Sequence, residues 1–222
     1  MRPVYDETRE SFMTRITICA SVLVISAGLV PALAQTPNLV LLPYATCRFQ
    51  DGLEIVNRGV LPPSVTSRPV ETDSGTRQID LQAGIRIMFA YPNTDFYANT
   101  KVELLPADKY PKLKKDLLDN FQHAAHGNTV NSSLLSPMNG LEIHGLDREK
   151  LEGGVLGVYL FFDDASHVVT TIYLLNQEPQ SRKFKSIEEY RTLRDRFLST
   201  YTGCVRANLH QAIESPTGAQ AK

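Results

Sequence analysis

The chain has 222 residues, 42% of them hydrophobic, with 23 Lys+Arg against 24 Asp+Glu and a formal charge of −1. Near-neutrality excludes the basic footprint of a nucleic-acid binder or of a protein held electrostatically on an anionic membrane. Three cysteines are too few for a disulfide-stapled miniprotein, and the length suffices for one domain with an apolar core.

The first element is an apolar run from Ile16 to Val30, followed by Pro31 and by the small residues Ala32 and Ala34 before Gln35. It has the form of a secretory signal peptide over 1–34 with an A-x-A cleavage pattern. The run is shorter than the roughly 20 apolar residues of a membrane span, so no span is expected after cleavage; a retained anchor is the alternative. Residues 1–12 are acidic as well as basic, unlike a positive n-region, whereas Met13, Thr14 and Arg15 lead straight into the apolar run, so translation is expected to start at Met13. The reading places the protein in a periplasm or outside the cell. Cys19 leaves with the signal, and Cys47 and Cys204 then form an even pair in an oxidising compartment, which predicts a disulfide. Two unpaired buried thiols are the alternative.

Residues 35–76 read as an N-terminal extension: a short hairpin about Asp51-Gly52, then a loop from Arg58 to Thr76 holding three prolines. An α+β domain over 77–206 follows, with a polar tail at 207–222. Ile79, Leu81 and Ala83, then Ile85, Ile87, Phe89 and Tyr91, alternate with other residues as strands do, and Gly84 marks a bulge or bend between them. A further strand is predicted at Lys101–Leu105. Helical spacing sets in at 108–126, with Leu113, Leu117, Leu118, Phe121 and Ala124 on one stripe, Asp108 as N-cap and Gly127 as the C′ residue. A polar loop at 128–140 leads to three strands, Leu141–Leu146, Val155–Phe162 and Val168–Leu175. The last two are apolar on both faces and so belong at the centre of a covered sheet. The charges from Asp147 to Gly153 read as a solvated connection, and Gly153, Gly154 and Gly157 as turn and packing positions. A helix over 186–202 has capping-box spacing at Ser186 and Glu189 and a stripe of Ile187, Tyr190, Leu193, Phe197, Leu198 and Tyr201. It is expected to end at Gly203.

Chemistry is sparse. Asp163, Asp164 and His167 stand between two strands as an acid/base or metal cluster, or as the tip of a hairpin whose aspartates accept from turn amides. Turn composition favours the tip, and a calcium loop's Asp-x-Asp-x-Asp-Gly spacing is absent. His123 and His126 share a helix face, yet without the glutamate of a His-Glu-x-x-His zinc protease they read first as histidines complementing a helix C-terminus. Glu142 and His144 lie on the wet face of their strand. Neither a Gly-x-Ser-x-Gly elbow nor a phosphate loop occurs. Tyr159, Tyr173, Tyr190 and Tyr201 fall on apolar stripes and read as core or rim residues. No residue pattern names a cofactor or a metal.

The order of elements over Arg77 to Val205, carried by "GIRIMFAYP", "ANTKVELLP", the helix before Gly127, "GGVLGVYLFFDD", "HVVTTIYLLN" and "SIEEYRTLRDRF", resembles the PsbP-like α/β/α sandwich, an antiparallel sheet packed between helices. The resemblance implies an exported or lumenal accessory module that binds proteins or ions, and it carries over no functional residue. The leading expectation is therefore an exported non-catalytic module with an envelope or secreted partner. The rival is a small secreted hydrolase, metal-dependent or Asp/His-based, built on Asp163, Asp164 and His167 with His123 and His126.

Overall fold

The structure is a computed structural model that describes residues 38–61, 67–72, 75–127, 131–151, 154–176 and 184–214. Side chains at 67–80, 125–135 and 213–214 lie outside the description, as does the proposed signal segment. All described residues belong to one unit, Gln35–Lys222.

A 3-10 turn, Leu39–Leu41, runs into the short helix α1 (Leu42–Ala45). Then come β1 (Glu54–Val60), β2 (Ser67–Thr72), β3 (Gly75–Asp80), β4 (Ala83–Ala90) and β5 (Tyr97–Leu104), helix α2 (Tyr110–Gly127), β6 (Asn131–Met138), β7 (Leu141–Arg148), β8 (Val155–Asp163), β9 (Val168–Leu175) and helix α3 (Ile187–Glu214). Seven strands form one antiparallel sheet in the order β1-β4-β5-β9-β8-β7-β6, and β2 with β3 forms a separate ribbon.

Period-two alternation sorts the sheet's side chains onto two faces. Ile85, Ile87 and Phe89 of β4 pair with Val102, Thr100 and Ala98 of β5, and the row continues through Thr170, Ile172 and Leu174 of β9 to Phe161, Tyr159 and Gly157 of β8. Against this face α3 lays Tyr190, Phe197, Leu198, Tyr201 and Val205, all fully buried. Phe89 sits 5.3 Å from Phe197 and 5.0 Å from Tyr201, ring centre to ring centre. On the opposite face Leu160 and Val169 meet Tyr110, Leu113 and Leu117 of α2. The predicted architecture, an antiparallel sheet packed between helices, is the observed one, and β9 and β8, apolar on both faces, stand at its centre as expected.

The predicted disulfide is present. Cys47 and Cys204 are joined with their Cα atoms 5.8 Å apart, closing 157 positions of chain. In the chain-entropy account such a loop restricts the unfolded state by roughly 5 kcal/mol, an upper figure.

Several boundaries differ from expectation, each for a local reason. Asp51-Gly52 is a turn, with Leu53 N–H donating to Asp51 Oδ1 at 3.1 Å and Gly52 at φ +85, but no hairpin: β1 pairs with β4 instead. The expected loop after Arg58 contains the β2–β3 ribbon, where Pro69 is tolerated because a two-stranded ribbon leaves one edge of each strand unbonded. Residues 62–66 of that loop lie outside the described residues. Gly84 is no bulge: a Cβ there would stand 2.5 Å from Leu61 Cδ1, so its bare backbone admits Leu61. β5 begins at Tyr97, four residues before the predicted start, and α2 begins at Tyr110, two after it. Most of the polar loop 128–140 is β6, an edge strand turned back by Asn139 and Gly140 at φ 51 and 75. Finally, α3 runs through Gly203 to Glu214, so much of the expected tail is helix and the disulfide holds the helix's middle rather than its end.

Candidate functional site

The aspartates of the β8–β9 turn follow one another on a strand end, so they project to opposite faces of the sheet. Asp163 turns toward the α3 side. Its Oδ1 accepts from Ala165 N (3.1 Å) and Ser166 N (3.4 Å), and its Oδ2 from the Tyr44 hydroxyl (2.7 Å). Asp164 turns toward α2 and accepts from the Tyr110 hydroxyl (2.7 Å) and, with both oxygens, from Lys114 Nζ (2.8 Å). The Lys114 ammonium and the Tyr110 hydroxyl hold its carboxyl below the ordinary range. His167 closes the turn at φ 56. Its ring lies 5.3 Å from that of Tyr110, and its carbonyl accepts from Leu105 N at 3.1 Å. The expected turn-amide bonding is present at Asp163, while Asp164 accepts from side chains, and the two carboxylates clamp the hairpin tip to α1 and α2.

Among the described residues, neither His123 nor His144 bonds to a carboxylate of the tip. His123 is exposed on α2, nine residues beyond Lys114, or about 14 Å along the axis at the helical rise. The His126 side chain lies outside the described residues. On β7, His144 Nε2 lies 2.7 Å from Glu142 Oε1, the carboxylate two-thirds exposed and the imidazole 21% exposed. The His144 ring meets the edge of Phe162 at 6.2 Å, and Lys114 Nζ stands 5.3 Å above that same ring. Glu142, His144, Phe162, Lys114 and Asp164 therefore form one continuous surface row on the α2 face, while Asp163 is on the other side.

A buried ionic cluster falls where a solvated connection was expected. Asp147 is 2% exposed. One of its oxygens accepts from the hydroxyls of Tyr159 and Tyr190 (2.9 Å for the latter), and the other from Arg194 of α3. Arg194 Nε donates in turn to Asp195 at 2.7 Å. The reason is parity: β7 extends to Arg148, so Asp147 falls in the same inward phase as Leu141, Ile143 and Gly145. A Cβ on Gly157 would sit 2.5 Å from both tyrosine oxygens, so glycine there leaves the room these hydroxyls occupy. Burial raises both phenols above the ordinary tyrosine value; the facing Tyr190 adds to the rise of Tyr159, whereas the bond with Tyr159 opposes that of Tyr190. The unclaimed hydroxyls of two tyrosines on apolar stripes were the available signal for a buried acceptor.

A second unforeseen node is Asp51, whose Oδ2 accepts from Tyr91 (2.9 Å) and Thr200 (2.9 Å), with Arg196 beside it at 3.3 Å and its guanidinium 4.7 Å from the Tyr91 ring centre. Partial burial pushes its carboxyl up, but the bonds from Leu53 N–H, Tyr91 and Thr200 outweigh it, and the net shift is downward. Among the described residues no group of three or more His, Cys, Asp or Glu is placed to hold a metal ion, and no helix is long and apolar enough to cross a membrane. Compared with protein-family models, with curated proteins and with solved structures, the chain finds no match.

Proposed function

We propose that the protein is an exported, non-catalytic binding or accessory module, and that its contact surface includes the row of Glu142, His144, Phe162, Lys114 and Asp164. The observation that carries this reading is the commitment of the turn carboxylates. Asp163 and Asp164 are each engaged by a tyrosine from a distant element, on opposite faces, and so act as fasteners rather than as a converging acid/base pair. The surface row offers a partner an aromatic ring flanked by a cation and by a carboxylate–imidazole pair, a mixture suited to a protein surface. An oxidising compartment is supported by the disulfide. Kinship with the PsbP-like sandwich belongs to the same proposal, supported by a sheet with helices on both faces.

The test is native mass spectrometry with elemental analysis on protein recovered from its exporting host, followed by crosslinking in the same compartment. Protein free of metal, with a crosslinked partner lost in Glu142→Ala/His144→Ala, supports the module. Turnover abolished by His167→Ala, or a stoichiometric metal lost with the same substitution, overturns it in favour of a hydrolase.

A further inference from the structure

The turn between β6 and β7 is clipped to α3 by one side chain. Asn139 Nδ2 donates to the Ser199 carbonyl at 2.8 Å and to Thr202 Oγ1 at 2.9 Å. The orientation of the amide is dictated by its partners: a carbonyl oxygen only accepts, and the Thr202 hydroxyl has already given its proton to Leu198 O at 2.6 Å. Position 139 therefore faces two acceptors. A Cβ at Gly203 would lie 3.4 Å from Asn139 Nδ2, in ordinary contact, so the helix meets the amide here with bare backbone. Asn139 is itself exposed, and the next residue is Gly140, which carries no side chain of its own to hinder its nitrogen.

We propose that Asn139-Gly140 is a site of spontaneous covalent modification, in which conversion of the amide to a carboxylate unclips the β6–β7 hairpin from α3. The Gly140 nitrogen loses its proton to solvent base and attacks Asn139 Cγ. The new C–N bond closes a five-membered imide as the Cγ–Nδ2 bond breaks and ammonia departs with a proton. Water then opens the imide at either carbonyl, leaving aspartate or isoaspartate. The product carries an anion where both facing groups are acceptors, so the donor pair is lost and repulsion replaces it. Arg206, whose Nε lies 3.7 Å from where a Cβ on Gly140 would be, draws the new charge away from Ser199 and Thr202. While the clip is closed, Nδ2 is held on α3 and Cγ cannot swing to meet the Gly140 nitrogen. The rate of conversion is thus set by how often the clip opens.

The experiment is incubation of the full chain at mildly alkaline pH with peptide mapping that separates asparagine, aspartate and isoaspartate at 139. It compares the wild type with Thr202→Val, which removes one acceptor, and Gly203→Val, whose methyls extend from a Cβ already in contact with the amide and crowd it. The expected result is conversion at 139 in all three, several-fold faster in both variants. Hydrogen exchange should then rise across Asn131–Met138 in the converted fraction and in Asn139→Asp, with β5 and β9 unchanged. Equal rates in wild type and variants, an amide that persists in all three, or an Asn139→Asp hairpin that exchanges as slowly as the wild type would each overturn the proposal.

Discussion

A tyrosine hydroxyl carried into a fold needs an acceptor, and here aspartates from distant parts of the chain supply it: Asp163 to Tyr44, Asp51 to Tyr91, Asp164 to Tyr110, and Asp147 to both Tyr159 and Tyr190. The Asp147 node has the largest consequences, because both ions are buried. Arg194→Met leaves a carboxylate at 2% exposure with only neutral hydroxyl donors, the situation in which losing one partner costs about 3–5 kcal/mol. Asp147→Asn keeps an acceptor for the tyrosines, and Arg194 retains Asp195, so the loss should be smaller. Urea unfolding of the two variants checks the order; Asp147→Asn as the more damaging change would show that the cation is the ion the fold depends on. Asp164 gives the exposed counterpart. Its folded carboxyl is held low by Lys114 and Tyr110, so its contribution is present above the ordinary carboxyl value of about 4 and is lost as pH falls through the folded value. With the side chain 67% exposed, the contribution stays below about 1 kcal/mol. Asp164→Asn should therefore lower the melting temperature slightly at neutral pH and leave it unchanged in acid, so that the acid side of the curve flattens.

Among the elements, α3 begins as its sequence announces. Glu189 N–H donates to Ser186 Oγ at 3.2 Å, and Glu189 Oε2 accepts from Lys185 N at 2.6 Å, a capping box shifted by one residue on the return bond. Ser186→Ala should cost about 1 kcal/mol, or roughly 2–4 °C in a chain of this size, readable in a thermal melt; no change would mean that the N-terminal turn is held by Phe184 against Tyr190 alone. The helix's other end was not legible, because glycine's cost in a helix interior, about 1 kcal/mol, is outweighed by the burial of Tyr201 and Val205 on either side of Gly203 and by the disulfide at Cys204. The strands β9 and β8 were legible because both faces are apolar and the run says so directly. β6 was not: "NSSLLSPM" reads as polar coil, and only Asn139-Gly140, a turn pair with positive φ at both residues, announces the hairpin. The candidate site divides in the same way. Turn-amide bonding by Asp163 was legible from composition; its tie to Tyr44, 119 positions away, belongs to tertiary packing that no local pattern encodes.

At the scale of the molecule, the segment Asn38–Leu53 is laced to the C-terminal half. Asp163 takes the Tyr44 hydroxyl, Tyr201 donates to the Tyr44 carbonyl at 3.3 Å, Asn208 donates to the Pro43 carbonyl at 2.9 Å, and Thr200 and Arg196 hold Asp51. The disulfide lies in the middle of these ties. A segment so fastened is released only when much of the fold opens, and the buried phenols of the fold, Tyr44 of the segment among them, report that opening. Burial first, and then the facing Asp163, raises Tyr44; burial with Asp51 and with Asp164 does the same for Tyr91 and Tyr110; and Tyr159, Tyr190 and Tyr201 are raised chiefly by burial. A tyrosine whose folded value lies above its unfolded one binds its proton more tightly in the native state. Its stabilisation is intact below the ordinary phenol value of about 10 and is lost as pH climbs from there through the folded value, because the unfolded chain ionises first. With several such groups acting together, alkaline unfolding should be steep. Far-UV ellipticity and tyrosinate absorbance should change in one step above pH ~10, and Tyr44→Phe, which releases one proton fewer on unfolding, should make that step shallower. Tyrosinate absorbance that completes while the ellipticity is still native would mean that these hydroxyls reach solvent within the folded state and that the aspartate ties do not hold the segment down.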